Sequence, residues 1–243
     1  MISTDRSFCR VVILTGAGIS RESGLKTFRD ADGIWAKVKL EDVASLEAFT
    51  RDPDRVHRFY NTRRSQLLSD TVKPNAAHVA LAELERSWKG RLLLVTQNID
   101  DLHERAGSRN LVHLHGELLK ARCNICQRVK PCRSDLNRQM HCPDCGTTGS
   151  LRPHVVWFGE VPLSMPEIIS ELEQCDLFIS IGTSGNVYPA AGFVQQARLA
   201  GAHLVELNME PSANANSFIE RVYGPATEIV PDYTRRLLAA QDR

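Results

Sequence analysis

The segment "VVILTGAGIS", residues 11–20, joins a short apolar run to a glycine-rich turn and decides which fold class we expect. The apolar run has the length and the β-branched composition of a buried strand. Gly16 and Gly18 follow it directly, as in the G-x-G-x-x-G loop that precedes a helix in dinucleotide-binding folds. Arg21 stands at the third glycine position, however, and Gly24 comes three residues late. The segment therefore indicates either a nucleotide site with unusual geometry or a glycine pair in an ordinary turn.

Further apolar runs of similar length recur along the chain: "RLLLVT" (91–96), "LVHLH" (111–115), "DLFISIGT" (176–183) and "HLVELN" (203–208). Because they are apolar on both faces, they predict parallel strands covered by helices on both sides. Helices are predicted between them, over 53–69, 74–89, 187–200 and 232–241. The first begins with Asp52 as N-cap and Pro53 at its first position, and the second begins at Pro74. The alternation predicts an α/β fold with a Rossmann-like, doubly wound parallel sheet.

Four of the seven cysteines have the spacing C-x2-C-x15-C-x2-C, at Cys123, Cys126, Cys142 and Cys145. This spacing is typical of a zinc site, and four cysteine ligands leave no open coordination position, so the zinc should be structural. Two disulfides or a redox C-x-x-C are the alternatives. An intracellular setting disfavours the first, and the lack of a thioredoxin-like context disfavours the second. Cys132 could compete as a ligand, whereas Cys9 and Cys175 are expected to be small core residues.

The cysteine region interrupts the strand–helix alternation and is therefore predicted to be an inserted module. We expect a zinc-binding module at 120–153 and a helical insertion at 39–83. The Rossmann-like domain would then comprise 1–38, 84–119 and 154–243.

The composition narrows the range of partners. The chain has 243 residues, enough for one large domain with insertions, and its net charge is +1 from 30 basic and 29 acidic residues. Nucleic-acid or membrane-surface binding would favour a basic excess, so neither is expected. No run is long enough for a secretory signal or a membrane span, and we expect a cytoplasmic protein. The oligomeric state is undetermined, although we favour a monomer.

Polar or glycine residues follow all five apolar runs: Gly16–Ser20, Gln97–Asp100, His115, Gly182–Ser184 and Asn208. In open α/β sheets, ligands bind at the carboxyl ends of the strands, so these residues predict one site. Taken singly, each could be a helix cap or a turn residue. Asp100 or Asp101 could cap the next helix, and His113 could be an ordinary core or surface histidine.

Six motifs occur in a fixed order: "GAGIS" with "ESG" and "TFR", then "TQNIDDLHERAG", "HLHGEL", "LRPHVVWFGE", "GTSGNVYPAA" and "ELNMEP". Together, from about residue 11 to residue 231, they resemble the sirtuins, the NAD-dependent protein-lysine deacylases. The resemblance is to the bacterial, desuccinylase-like branch that removes acidic acyl groups. It implies that NAD is a co-substrate, that one structural zinc is bound by the four cysteines, and that the partners are acylated-lysine proteins or peptides.

The resemblance assigns the NAD contacts by segment. Gly16, Ala17, Gly18 and Ile19 would approach the pyrophosphate, and Phe28, Arg29 and Trp35 would belong to a flap over the nicotinamide ribose. Gln97 would contact the ribose hydroxyls, and Asn98, Ile99 and Asp100 would form the nicotinamide pocket. The adenosine half would be held by Gly182, Thr183, Ser184, Asn208, Met209, Glu210 and Ala226.

The same resemblance implies the reaction. The acyl-lysine carbonyl oxygen attacks the ribose carbon, nicotinamide leaves, and the acyl group ends on ADP-ribose while lysine is freed. His115 would be the general base on a ribose hydroxyl, a role that suits an imidazole at neutral pH. A protein mono-ADP-ribosyltransferase and a non-enzymatic NAD-binding sensor are the alternatives.

For the substrate, the resemblance implies an added strand between two segments, one comprising Val156, Trp157, Phe158 and Gly159 and the other Gly185, Asn186 and Val187. Tyr60 and Arg63 are three apart on a predicted helix and share a face. They match the Tyr-x-x-Arg pair that binds a terminal carboxylate, and Ala44 matches the small residue that leaves the acyl pocket roomy. Alternatively, Tyr60 packs in the core while Arg63, beside Arg64, lies on a solvated face.

Overall fold

The structure is a computed structural model, and it describes residues 8–25 and 40–241. Phe28, Arg29 and Trp35 lie outside the described residues, so their roles stay predictions. The strands are β1 (Arg10–Thr15), β2 (Arg91–Thr96), β3 (Leu111–His113), β4 (Gly116–Cys123), β5 (Val129–Pro131), β6 (Leu151–Val155), β7 (Leu177–Ile181), β8 (His203–Asn208) and β9 (Glu220–Tyr223). The helices are α1 (Ala17–Ser20), α2 (Leu46–Arg51), α3 (Pro53–Leu67), α4 (Ala76–Ser87), α5 (Leu102–Ala106), α6 (Met165–Leu172), α7 (Phe193–Leu199) and α8 (Ala226–Gln241). Short 3-10 turns occupy Arg21–Ser23, Leu40–Asp42, Ala190–Gly192 and Ala215–Ser217.

The main sheet has six parallel strands in the order β3-β2-β1-β7-β8-β9. Successive residues of β1 enter opposite cores, because side chains alternate across a strand. Val11 and Ile13 pack in the cluster that includes α4 and α8, whereas Val12 and Leu14 pack with α6 and α7. The predicted Rossmann-like, doubly wound α/β fold is therefore confirmed. Strand order reverses between β1 and β7, which is where such folds bind ligands.

A second, antiparallel sheet has the order β5-β4-β6 and carries the cysteine motifs. Its first residue, Gly116, has a φ of +79°, and a Cβ there would lie 2.2 Å from the His154 carbonyl oxygen. The sheet spans residues 116 to 155. The domain boundaries given above remain a prediction.

Several predicted helices have different ends. Helix α4 begins at Ala76 rather than Pro74, and Asn75 caps it: the Asn75 side chain accepts from the Ala77 N–H, and its backbone N–H donates to His78 Nδ1. The helix predicted at 187–200 begins later, since the residue before Pro189 is disfavoured in the α conformation. The last helix starts six residues earlier than predicted and continues through Pro231. Asp52 caps α3 as predicted, accepting from the Arg55 N–H at 2.9 Å.

The expectation that Cys9 is a small core residue is wrong. Cys9 is exposed because it lies just before β1, where its backbone N–H donates to Asp176. Cys175 is buried, as predicted. Within the described ranges, no helix is both long and apolar enough to cross a membrane.

Candidate active site

The glycine loop after β1 packs directly against the loop after β7. The Gly16 N–H donates to the Ile181 carbonyl at 3.0 Å, and the Gly18 N–H donates to the Gly182 carbonyl at 2.9 Å. A Cβ on Gly18 would lie 2.7 Å from the Gly182 Cα atom. Gly182 itself has a φ of +62°, and a Cβ there would lie 2.6 Å from the Ile19 nitrogen. Both loops therefore require glycine, and the pair is more than an incidental turn.

Ser20 joins this loop to the segment after β2. Its hydroxyl donates to Asp100 Oδ2 at 3.0 Å and accepts from Asn98 Nδ2 at 3.0 Å. Asn98 Nδ2 also lies 3.2 Å from the Gly16 carbonyl oxygen. All three polar side chains are buried. The structure thus brings together Gly16, Ser20, Asn98 and Asp100, which the sequence placed at the ends of two neighbouring strands.

Asp100 is both a cap and a buried site residue. Its Oδ1 accepts from the Leu102 N–H at 3.1 Å, so Asp100 rather than Asp101 caps α5 through its side chain. Burial raises the pKa of Asp100 to about 6, although hydrogen bonds from Leu102 and Ser20 oppose the shift. A carboxyl group with this pKa can change protonation near neutral pH.

His115 lies between β3 and β4, where the two sheets meet. Its Nδ1 lies 2.9 Å from the Gln97 carbonyl oxygen. A carbonyl only accepts, so Nδ1 carries the proton of the neutral ring and Nε2 keeps its lone pair. Burial lowers the pKa of His115, which favours that neutral, basic form. Its carbonyl oxygen accepts from the Val156 N–H at 2.9 Å, which ties the histidine to the predicted substrate segment.

The side chain of His113 is largely buried, and both of its ring nitrogens have hydrogen-bond partners, as expected of a satisfied histidine. Its Nδ1 lies 3.2 Å from the Asn98 carbonyl oxygen, and its Nε2 lies 2.7 Å from Glu104 Oε1. Both partners accept, so both ring nitrogens need protons. Burial opposes the charge, but Glu104, Glu117 and the Asn98 carbonyl together raise the pKa of His113. An imidazolium–carboxylate pair therefore supports the Asn98 backbone.

The segments predicted to hold the adenosine half also meet at the carboxyl ends of β7 and β8. Asn208 Nδ2 donates to the Thr183 carbonyl at 2.8 Å, and the Ser184 carbonyl accepts from the Ala213 N–H at 3.0 Å. Met209 is half-exposed, Glu210 is exposed, and Ala226 begins α8. Beneath this loop, buried Glu206 accepts from the Ser212 hydroxyl.

Tyr60 and Arg63 share a buried face of α3. Tyr60 is 2% exposed and Arg63 is 9% exposed, so the solvated-face alternative is wrong for Arg63. The Arg63 guanidinium carbon lies 3.4 Å from the Phe59 ring centroid, and its Nη1 donates to the Phe59 carbonyl at 3.2 Å. Burial lowers the pKa of Arg63 to about 10, and Tyr60 partly opposes the shift, so the guanidinium remains charged at neutral pH. Ala44 is buried in the same apolar cluster as Tyr60.

The predicted peptide segments differ in exposure. Trp157 is buried, but Phe158 and Val187 are largely exposed. The Phe158 N–H donates to the Ala44 carbonyl at 2.9 Å, so the segment is anchored to the backbone beside α2. Gly159, with a φ of +86°, allows the chain to turn there, and Gly185 and Asn186 lie in the loop before the exposed Val187 and Tyr188.

The four cysteines form one cluster, with all sulfurs within 4.8 Å of one another. Cys123 and Cys145 are 3.7 Å apart at sulfur, as are Cys126 and Cys142. A tetrahedral zinc with bonds of about 2.3 Å places its sulfurs roughly 3.8 Å apart. The thiols are free rather than disulfide-bonded, and the cluster fits one structural zinc ion. Cys132 is buried outside this set of four.

Comparison with known proteins agrees with this geometry. The profile of the Sir2 family matches residues 16–189. A relative from Pasteurella multocida, named NAD-dependent protein deacylase, is 57% identical over 229 residues, which cover 94% of this chain and 98% of that protein.

Two solved structures extend the comparison. A Sir2 homologue in complex with NAD is 38% identical with a TM-score of 0.88, and the match covers 97% of this chain and 91% of the other. A Sir2 variant in complex with a deacetylated p53 peptide and 3′-O-acetyl ADP-ribose is 31% identical with a TM-score of 0.80, covering 96% and 94% of the two chains. This chain belongs to the Sir2 family.

Proposed function

We propose that this chain is an NAD-dependent protein-lysine deacylase that removes acetyl groups and the acidic acyl groups succinyl and malonyl. The products would be nicotinamide, O-acyl-ADP-ribose and free lysine. Membership of the Sir2 family, together with relatives named NAD-dependent protein deacylase, supports the reaction class.

The observation that carries the proposal is the setting of His115. Its Nδ1 is committed to the Gln97 carbonyl, and its backbone carbonyl holds Val156. Gln97 belongs to the segment proposed to bind the nicotinamide ribose, whereas Val156 begins the segment proposed to bind the peptide. His115 therefore contacts both proposed substrate segments, and its Nε2 keeps the lone pair that a general base needs.

In the proposed reaction, His115 Nε2 takes a proton from a ribose hydroxyl of NAD. The hydrogen bond to Gln97 fixes the tautomer and the ring orientation that this step needs. Asn98 and Asp100 would hold the nicotinamide carboxamide, and Ser20 would orient both side chains. The glycine loop, the loop after β7 and residues 208–210 would hold the remainder of NAD.

Tyr60 and Arg63 support the acidic-acyl part of the proposal. A desolvated guanidinium attracts a carboxylate more strongly than an exposed one, because water no longer screens the pair. Arg63 can also offer two N–H groups to one carboxylate. The buried Tyr60 hydroxyl provides a further hydrogen-bonding group on the same face of α3. The peptide main chain would add a strand between the Trp157–Gly159 and Gly185–Val187 segments.

The test is a panel of acetyl-, succinyl- and lactyl-lysine peptides with NAD, measuring kcat/KM for each and identifying products by mass spectrometry. Nicotinamide release with O-acyl-ADP-ribose supports deacylation. ADP-ribosylated protein without O-acyl-ADP-ribose would instead indicate a mono-ADP-ribosyltransferase. NAD binding without nicotinamide release would indicate a sensor.

A further inference from the structure

The hydroxyl of Tyr60 has a hydrogen-bond donor of its own. Trp157 Nε1 donates to the Tyr60 oxygen at 2.9 Å, and both side chains are 2% exposed. A phenol has one proton to donate, and conjugation keeps that proton close to the plane of the ring. With an indole N–H at one side of the oxygen, the Tyr60 proton is directed to the other side.

We propose that Trp157 determines acyl specificity by fixing the Tyr60 hydroxyl as a hydrogen-bond donor toward the carboxylate of an acidic acyl-lysine. This inference rests on the proposed function and deepens it, since Trp157 acts through Tyr60 rather than on the acyl group itself. Without the indole N–H, the hydroxyl could rotate about its C–O bond and direct its proton away from the substrate. Its lone pairs would then face the substrate carboxylate and repel it.

The indole is held in place by an ion pair between buried Arg152 and partly buried Glu160, which the sequence did not reveal. Arg152 is 1% exposed, and its guanidinium carbon lies 3.4 Å from the Trp157 ring centroid. Its two terminal nitrogens each lie 2.7 Å from a different carboxylate oxygen of Glu160. Glu160 Oε2 also accepts from the Trp157 backbone N–H at 2.8 Å. Both the backbone and the ring plane of Trp157 are therefore fixed by one Arg–Glu pair.

The protonation state of Tyr60 agrees with a donor role. Burial raises the pKa of Tyr60 to about 12, although Trp157 and Arg63 oppose the shift. The phenol thus keeps its proton across the pH range of an ordinary assay. Phe49 packs against the same indole, with ring centroids 5.3 Å apart, and restricts the ring further.

The test compares Trp157→Phe with Trp88→Phe, using succinyl-lysine and acetyl-lysine versions of one peptide. Trp88 is also buried, but its Nε1 has no hydrogen-bond partner among the described residues. It lies in the apolar cluster that includes α4 and α8, whereas Trp157 lies in the cluster that includes Tyr60. Trp88→Phe therefore controls for the loss of indole packing. The two peptides differ only in the acyl group, so any effect of Trp157→Phe on binding of the peptide main chain is the same for both. A change in the ratio of their kcat/KM values therefore reports a change in acyl specificity.

We expect Trp157→Phe to lower the succinyl-to-acetyl ratio about 2- to 10-fold, the range for losing one neutral hydrogen bond. Trp88→Phe should leave the ratio unchanged. In a Tyr60→Phe background, Trp157→Phe should change the ratio no further, because its effect passes through the Tyr60 hydroxyl. A purely structural role for Trp157 would not produce this non-additivity, so an undiminished effect in the Tyr60→Phe background overturns the inference.

Arg152→Lys provides a second variant if Trp157→Phe does not fold. Lysine keeps the charge but loses the bidentate bond and the planar stacking, so the ratio should fall in the same direction. An unchanged ratio in a folded Arg152→Lys or Trp157→Phe protein contradicts the inference.

Arg63→Met in the same panel distinguishes failure of this inference from failure of the proposed function. If Arg63→Met leaves the ratio unchanged, the proposed carboxylate recognition fails. If only the Trp157 and Arg152 variants leave it unchanged, the proposed function stands and this inference fails.

Discussion

If Arg63 binds the carboxylate of an acidic acyl group as proposed, replacing it by methionine should shift the preference of the enzyme strongly toward acetyl-lysine. Methionine has a similar length and enters the apolar surroundings of Phe59 without a charge. A succinyl carboxylate entering the pocket would lose its guanidinium partner while still losing its water. An acetyl group makes no such bond and loses far less.

The magnitude follows from the burial of Arg63. Only 9% of Arg63 is exposed, so a bond from its guanidinium to a carboxylate is largely shielded from solvent. Charge-assisted hydrogen bonds contribute about 1.5–3 kcal/mol, and an unpaired buried carboxylate costs more. At about 1.4 kcal/mol per decade, kcat/KM for succinyl peptide should fall roughly 10- to 100-fold or more.

The assay measures kcat/KM for matched succinyl and acetyl peptides at saturating NAD, together with the melting temperature. Arg58→Met is the matched control, because Arg58 lies on the same helix but is exposed. It removes the same charge and should leave the ratio of the two activities unchanged. Equal losses of both activities in Arg63→Met would refute the reasoning and make Arg63 a structural residue of α3.

Three other predictions concern catalysis, metal and pH. His115→Ala should lower kcat/KM for every acyl peptide about 10²- to 10⁴-fold with an unchanged circular dichroism spectrum; wild-type turnover would exclude His115 as the base. Cys142→Ser should lower both the zinc content measured by elemental analysis and the melting temperature, because a closed zinc site with four cysteine ligands contributes to folding; a folded, active and metal-free wild-type protein would contradict this. Burial lowers the pKa of His78 to about 4, so on acidification the unfolded chain takes up the proton first, near pH 6.5, and stability falls between pH 6.5 and about 4. Urea unfolding should show a shallower loss over that window in His78→Gln than in wild type, and parallel pH profiles would show that His78 does not contribute.

The sequence predicts best the inner strands of the main sheet, which are buried on both faces. β2 and β8 have the predicted ends because their buried central residues are bounded by more exposed ones. β9 was not predicted, since it lies at the sheet edge and its residues alternate between exposed and half-buried. The antiparallel sheet of the zinc module was not predicted either, because its pattern is set by pairing across the cysteine turns and not by an apolar run. Apolar runs in the sequence identify strands that are buried on both faces. They do not identify edge strands or strands that form by pairing with a segment distant in the chain.

The site shows the same division. The motif residues after β1, β2, β3 and β7 were predictable because strand ends converge in a parallel sheet. Arg152 and Glu160 were not, although together they hold Trp157 in place. From the sequence alone, both charged side chains would be expected on a solvated surface. Only the folded structure shows that Glu160 pairs with both Arg122 and Arg152, the latter stacked on Trp157.

Helix α3 shows that the alternative of a solvated face is wrong for both of its adjacent arginines. Arg63 and Arg64 would be expected on a solvated face, yet both are buried. His57, Asn61 and Arg64 form a stripe at helical spacing, which is a different stripe from that of Tyr60 and Arg63.

The zinc module covers the first of these stripes. His57 Nε2 lies 3.0 Å from the Leu151 carbonyl oxygen, and Asn61 exchanges two hydrogen bonds with the Leu136 backbone, at 2.9 and 3.0 Å. Leu136 lies between the two cysteine pairs, and Leu151 begins β6 just after them. The folded module therefore provides a surface on which α3 rests while its other stripe faces the proposed acyl pocket. A zinc ion that performs no chemistry can in this way contribute to the position of the guanidinium that is proposed to select the acyl group.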